Sequence, residues 1–403
     1  MTETVDPEGA QKPTIGSVIN AVPADMSQLS GPSTSSSKPA SVKSDASFKS
    51  ASSQVPTTTA STPPQPAQPT GPCKTPLTSA SPSVKPPPPA PLTPEQQAKY
   101  ATVLSTVSSW TTIPTTTAKG APSAPITEDE RMWLTRECLL RYLRATKWKV
   151  PDALKRLQST LSWRREYGAD TFTADYISPE NETGKQVILG YDKDARPCLY
   201  LSPGKQNTKM SDRQIHHLSF MLDRVIDMMG PGQETTALLI DFDGAASGNV
   251  PTVGQARQVL NILQGHNPER LGRALISKLP WYVSTFFKLI SPFIDPVTKE
   301  KMKFNEDLNK YIPSEQLWKA YGGELDFVYD HAVYWPALNE ECTRRRQAYK
   351  ERWIEAGKKV GEYEEYLRGG SQPSIAQTLD QAEKLSGDVQ IDGQTVDIGK
   401  LKV

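Results

Sequence analysis

The 403-residue chain predicts an α/β fold behind a long unstructured N-terminal region. Three observations lead there: a change of composition near Thr127, a helical pair just after it, and a strand, helix, strand unit between residues 237 and 279. Residues 1–125 are dominated by Ser, Thr, Pro and Ala, with runs at 33–37 and 86–91, and Phe48 is the only aromatic residue before Tyr100. Ordering a backbone costs roughly 1–2 kcal/mol per residue, which so little apolar surface does not offset, so residues 1–125 are expected to be disordered. From Thr127 onward Trp, Tyr, Leu and Ile are frequent and evenly spread, as a packed core requires.

Thr127 followed three residues later by Glu130 is a capping-box pattern that opens a helix. Leu139, Leu140, Tyr142 and Leu143 carry the helical period to a break near Pro151, and Leu154, Leu157 and Leu161 resume it until Tyr167 and Gly168. The result is an antiparallel helical pair over 127–168. Two short apolar runs, 187–191 and 198–201, flank the turn formers of 192–197 and predict a hairpin-like start to a sheet. Leu218, Met221, Leu222, Val225, Ile226 and Met229 mark an amphipathic helix that Gly230 and Gly232 stop. A buried strand at 237–242, a helix through Val253, Ala256, Leu260 and Leu263, and a strand at 274–279 form a unit whose strands pair in parallel through a right-handed crossover.

Residues 281–294 are the most apolar segment. As a helix, Trp281, Tyr282, Val283, Phe286, Phe287, Leu289 and Ile290 leave only Ser284, Thr285 and Lys288 as a polar edge. Such a helix is either buried in a core or faces lipid, and it is too short to span a bilayer.

Lys plus Arg number 46 against 45 Asp plus Glu, so no global basic field points to nucleic acid. Four scattered cysteines without CxxC spacing argue against a zinc site and a disulfide framework and fit a reducing compartment. Residues 1–12 show no apolar signal region, and no window reaches the roughly 18–20 apolar residues of a membrane span, so a soluble or peripheral cytosolic protein is expected. Cys138 and Arg144 have the spacing of a phosphatase loop, but the residues between them are helical and lack the glycines that let backbone N–H groups converge on phosphate. Ser247 with His216, His217 or His266 suggests a hydrolase triad, yet no Gly-x-Ser-x-Gly frames a serine. Gly244 and Gly248 belong to neither a Walker A nor a G-x-G-x-x-G motif. No catalytic residue, metal site or cofactor is therefore expected. The polar residues beside the apolar segment, Glu269 and Arg270 before it and Thr298 and Lys301 after it, are either surface ion-pairing groups or a headgroup site. Carboxylates accept from sugar hydroxyls and ammonium groups pair with phosphate.

Together residues 140–145 (LRYLRA) with Lys147 and Trp148, 163–168 (WRREYG), 194–197 (DARP), 267–272 (NPERLG), and 292–298 (PFIDPVT) with Lys301 resemble the CRAL-TRIO family, specifically the fungal phosphatidylinositol transfer proteins. The resemblance covers about half the chain. It implies a CRAL-TRIO fold: a helical subdomain (127–168), a lobe with a mixed or parallel sheet (178–336) enclosing a hydrophobic pocket for one lipid, and a charged C-terminal helix and tail (337–403). It makes 279–293 a gate helix carrying Trp281, Phe286, Phe287, Ile290 and Phe293. It assigns the phosphoinositol contacts to Glu269, Thr298 and Lys301, with a basic contribution from Arg144, although Thr146 stands where many relatives have a second Arg. Relatives that exchange phosphatidylcholine carry two hydroxyl residues where this chain has Thr236 and Leu238. Leu238 offers no donor, which shifts the resemblance to the branch pairing phosphatidylinositol with sterol and associated with azole tolerance.

The function so implied is non-enzymatic exchange of phosphatidylinositol and a sterol between membranes, with bound lipid in place of a cofactor. Its setting would be cytoplasmic, with transient attachment to endoplasmic reticulum, lipid droplets or plasma membrane. The alternative is a sensor that presents phosphatidylinositol to lipid kinases. In the flanks, 337–367, with Arg344, Arg345, Arg346, Glu364 and Glu365, reads as a solvated helix, 392–396 as tail, and N-terminal Ser and Thr before Pro as phosphorylation candidates.

Overall fold

A computed structural model describes residues 71–209, 211–245, 253–290 and 296–387. Helix α1 (Pro94–Ser108) opens on a capping box between Thr93 and Gln96, with Pro94 preset to helical φ. Two short strands, β1 (Thr112–Pro114) and β2 (Ser123–Pro125), pair antiparallel. Helices α2 (Glu128–Trp133), α3 (Arg136–Ala145) and α4 (Val150–Tyr167) complete the helical subdomain. Val103 and Val107 of α1 and Ile113 of β1 are fully buried against Leu139, Leu143, Leu157 and Leu161. The expected disorder of residues 1–125 thus fails from 71 to 125, and the subdomain starts at Pro94 rather than Thr127. Composition misleads because the Thr and Pro residues of this stretch sit at caps and on the exposed face, while a few apolar residues suffice to bury the other.

The capping box at Thr127 and the break between α3 and α4 form as the sequence predicts. Lys147 and Trp148 take left-handed φ values of 52° and 61° at the break, and Gly168, at φ 68°, caps α4. Next come α5 (Ala174–Asn181), β3 (Gln186–Tyr191) and β4 (Pro197–Leu201). β3 and β4 pair antiparallel around a turn in which the Asp192 carboxylate accepts from the N–H groups of Asp194 and Arg196 at 2.9 Å each.

Helix α6 (Asp212–Asp227), β5 (Thr236–Asp241), α7 (Val253–Leu260), β6 (Leu271–Ser277), α8 (Trp281–Ile290), α9 (Pro296–Lys301) and β7 (Met302–Phe304) follow. The sheet order is β3-β4-β5-β6-β7, parallel from β4 onward. The expected parallel unit is therefore β5–α7–β6. The three-residue β7 was too short to read as a strand from sequence. Each parallel strand lies beside its sequential neighbour, with α6, α7 and α8–α9 as the connections between them. Tyr200, Trp318, Tyr321 and Phe327 pack edge-to-face on one another and help build the main core.

The chain ends in α10 (His331–Glu355), α11 (Glu364–Leu367) and α12 (Ile375–Gly387). α10 begins before the expected boundary at 336/337 and buries Tyr334, Trp335, Leu338, Cys342 and Trp353, so it belongs to the core as well as the surface. The Tyr334 hydroxyl accepts from Ile188 N–H at 2.7 Å and donates to Ile188 C=O at 2.8 Å, sealing the β3 edge. The expected tail at 392–396 lies outside the described residues. Among the described residues no helix is long and apolar enough to cross a membrane.

Candidate functional site

Parallel pairing puts the N-terminal ends of β5, β6 and β7 side by side. Glu269 lies two residues before β6, Lys301 directly before β7, and Glu234 two residues before β5. The register pairs Ala274 with Met302, which sets Lys301 level with Arg273, four residues along from Glu269 and at most about 13 Å away in the strand direction. Thr298 is on α9, which packs against β6. The backbone thus gathers Glu269, Thr298 and Lys301 at one sheet end. Glu269 and Lys301 are half-buried, and neither forms an ion pair among the described residues.

Glu269 holds a left-handed φ of 60°, an uncommon state for a non-glycine residue that surrounding contacts must maintain. The helical subdomain braces the backbone a few residues upstream of it. α7 continues as a π-helical turn over Asn261–His266, and the His266 carbonyl accepts from the Tyr142 hydroxyl at 3.0 Å. The His266 ring bonds Thr160 at 3.2 Å and stacks on Trp163 with ring centroids 4.1 Å apart. Burial, helped by Arg156 and Arg164, pushes the His266 pKa down to about 4, so the ring is neutral near pH 7. Arg156 donates to the carbonyl of Gly265 at 3.0 Å. No local sequence signal marks this brace, because its partners are more than 100 residues apart.

Arg144 is half-exposed and pairs with Glu234 at 3.1 Å, on the same sheet end, so its guanidinium is already shared with a carboxylate. The Thr146 hydroxyl donates back to the Tyr142 carbonyl at 2.9 Å and adds no positive charge. Thr236 is buried and its hydroxyl donates to the Pro197 carbonyl at 2.8 Å, while Leu238 lies between Leu199 and Ala274. Neither position presents a spare hydroxyl proton to a ligand.

Along β5 the burial alternates. Ala237 and Leu239 are buried, whereas Leu238 and Ile240, on the opposite face, are only half-buried although β5 is a central strand. Leu201 on β4 is also half-buried. Incompletely covered aliphatic side chains in the middle of a sheet supply an apolar surface for a hydrocarbon ligand. Trp281 on α8 is 81% exposed, and Val297 and Phe304 nearby are also exposed. Lys278, at φ 52° just before α8, pairs with Asp241 and Asp243, and the Tyr282 hydroxyl bonds the Ala245 carbonyl at 2.6 Å. Phe286, Phe287 and Ile290 lie on α8, while Phe293 and Ser247 lie outside the described residues.

A cavity of about 1130 Å³ opens where the helical subdomain, α6 and α10 meet residues 78–86, and it reaches Asn267, Pro268 and Arg270 around Glu269. Its lining includes Arg141, Arg164, Arg224, Arg345, Asp227 and Glu364. These charged groups share the walls with Leu161, Ile226, Met228 and Met229, so the lining is mixed rather than the purely apolar pocket expected. Cys138 is buried on α3, where burial pushes its thiol up to about 12, far from the thiolate a phosphatase requires.

A two-part α/β unit with an apolar sheet face and polar groups at one end has the design of a lipid-binding domain, and sequence comparison identifies which. The CRAL/TRIO domain matches residues 181–323 and the CRAL/TRIO N-terminal domain residues 99–159, the latter including most of α1. The chain belongs to the CRAL-TRIO family, whose members bind and transfer lipids. It is 39% identical over 272 residues to phosphatidylinositol transfer protein PDR17 of Saccharomyces cerevisiae, covering 64% of this chain and 77% of that protein. It is 53% identical over 281 residues to CRAL-TRIO domain-containing protein C23B6.04c of Schizosaccharomyces pombe, covering 70% of this chain but only 28% of that relative. The SEC14 cytosolic factor of Candida glabrata is 30% identical over 212 residues, covering 47% of this chain and 70% of that protein. Among solved structures, that of Sfh5 covers 66% of this chain at 16% identity with a TM-score of 0.44.

Proposed function

We propose that this chain exchanges phosphatidylinositol between membranes without covalent chemistry, with a sterol as its second ligand. The observation that carries the reading is the gathering of Glu269, Thr298 and Lys301 at one end of a half-covered apolar sheet face. Glu269 would accept from inositol hydroxyls, Lys301 would pair with the phosphate, and Thr298 would bond either. Arg144, already shared with Glu234, would contribute by its field rather than by direct contact. The 39% identity to a phosphatidylinositol transfer protein supports the ligand class. With the Thr236 proton committed to Pro197 and Leu238 apolar, a phosphocholine headgroup finds no hydroxyl donor there, while a sterol needs none.

Two acyl chains hold a phospholipid in its bilayer by an amount of order 20 kcal/mol, at about 0.8 kcal/mol per methylene. A carrier lowers that barrier by opening its apolar surface at the bilayer, so the lipid never crosses water. α8, with Trp281 outward and Lys278 at its base, is the element suited to open. Such a carrier works in the cytoplasm and touches membranes transiently.

The test is transfer of labelled lipid between vesicles. Lys301→Ala and Glu269→Lys should each slow phosphatidylinositol transfer about tenfold or more, the worth of one charge-assisted contact, and leave sterol uptake intact. Loss of both activities together in a folded variant would overturn the separate headgroup assignment.

A further inference from the structure

Residues 71–92 cross the surface with no helix or extended strand, yet they are tied down at separate points. Cys73 N–H donates to the Asp326 carbonyl at 2.7 Å, and the Cys73 carbonyl accepts from Val328 N–H at 2.9 Å. Lys74 pairs with Asp330 at 2.9 Å, and Leu77 packs on the main core. Arg345 of α10 donates to the Thr78 carbonyl. The Ser81 hydroxyl, in a residue only 8% exposed, donates to the Glu315 carboxylate. Residues 78–80, Val84 and Pro86 form one wall of the 1130 Å³ cavity, so this strap closes it on one side.

Of these ties, the one between Ser81 and Glu315 is reversed in sign by a single covalent event. Ser81 is followed by Pro82, the dipeptide that proline-directed protein kinases read. Four other described hydroxyls also precede proline. Thr93 caps α1, Ser178 bonds His331 and Ser202 bonds Tyr321, all within folded elements, and Thr75 is exposed on the strap. Ser81 alone among these five donates to a carboxylate.

We propose that Ser81 is a phosphorylation site for a proline-directed kinase and that its modification detaches the strap over residues 73–86 from the domain. In the transfer, Ser81 Oγ attacks the γ-phosphorus of ATP and the new O–P bond forms. The bond from that phosphorus to the bridging oxygen breaks, ADP leaves, and the hydroxyl proton passes to the kinase's base. The product carries about −1.5 to −2 charges at pH 7, has no hydroxyl proton left for Glu315, and faces its carboxylate. The Glu315 side chain is exposed, but its backbone position is fixed. The carbonyl of its neighbour Gln316 packs so closely on Gly190 that a Cβ there would lie 2.1 Å away, and the Gln316 side chain accepts from Tyr191 N–H at 3.2 Å. Arg345 does not offset the charge in place, being shared with Glu341 at 2.6 Å and the Met228 carbonyl at 3.0 Å. Since the seated Ser81 is buried, the kinase captures the lifted strap, and the phosphate then prevents its return.

The experiment treats the full chain, in a Thr75→Ala background, with a proline-directed kinase and ATP. The phosphate is located by mass spectrometry, and amide hydrogen exchange is measured over 73–84. Phosphate on Ser81 with exchange there about tenfold or more faster, the rest of the domain unchanged, is the expected result. Phosphorylated Glu315→Gln should show a smaller acceleration, because the like-charge contact is gone, and unphosphorylated Ser81→Ala should stay seated. The proposal is overturned by modification of other sites with Ser81 untouched, by phosphate on Ser81 with unchanged exchange, by equal acceleration in Glu315→Gln, or by release in Ser81→Ala.

Discussion

Glu364 shows what a single side chain carries. Its carboxylate accepts from Arg141 at 2.7 Å and Thr135 at 2.9 Å, with Arg368 at 3.6 Å and Arg270 at 3.8 Å. Burial alone would raise its pKa, but Arg141, Arg270 and Arg368 overcome that and hold it far below the usual carboxylate range. Arg270 shows the counterpart, since burial and the repulsion of Arg141 bring it down to about 10. Removing one member of such a buried set leaves the others uncompensated, so Glu364→Gln should lose about 3–5 kcal/mol in urea unfolding at pH 7. A depressed folded pKa contributes stability above the unfolded value of about 4.3 and loses it as pH falls below that, so the gap between variant and parent should narrow from pH 5 to pH 3. A gap that stays constant over this range would refute the charge account. In sequence Glu364 belongs to a charged run and reads as solvated. It is buried against Arg141 of α3, a partner 223 residues away that no local pattern reveals. The same distance problem hides the brace on Gly265 and His266, just upstream of Glu269.

At the scale of elements, periodicity was a sound guide where one face is apolar. The helical pair, α6 and the β5–α7–β6 unit lie where their patterns predict, because burial of a stripe or a strand face is a local property of the chain. It failed for α1, whose buried face is two valines among Thr, Ser and Gln, and for β7, where pairing with β6 makes a strand of three residues. α8 was recognisable as greasy, but whether it was core or interface stayed open. The structure gives its N-terminal end to solvent, with Trp281 exposed and Val283 buried. Trp281→Ala should therefore slow lipid exchange with vesicles about three- to tenfold while leaving Tm within a degree or so, because an exposed side chain adds little to the core but anchors well at a bilayer surface. A fall in Tm with unchanged exchange would return α8 to a purely structural role.

At the scale of the whole molecule, the folding unit is larger than the composition shift suggests. A chain starting at residue 127 lacks Val103, Val107, Ile113 and Ile126, all buried in the helical subdomain. Each is worth about 1.5–3 kcal/mol on burial, and their sum rivals the roughly 5–15 kcal/mol reserve of a typical domain. Circular dichroism should show cooperative melting for a chain starting at residue 71 and none for one starting at 127. Intact melting of the shorter chain would show that α1 is dispensable. What the sequence determined by itself is the α/β class, the parallel unit, the apolar helix and the motifs flanking it, because each follows from neighbours within a few turns. Only the tertiary structure decided that the Pro-rich strap is seated, that Glu364 is a buried hub, and that Glu269, Thr298 and Lys301 share one sheet end. Those facts depend on strand register and on contacts between residues far apart in the chain, which no local pattern encodes.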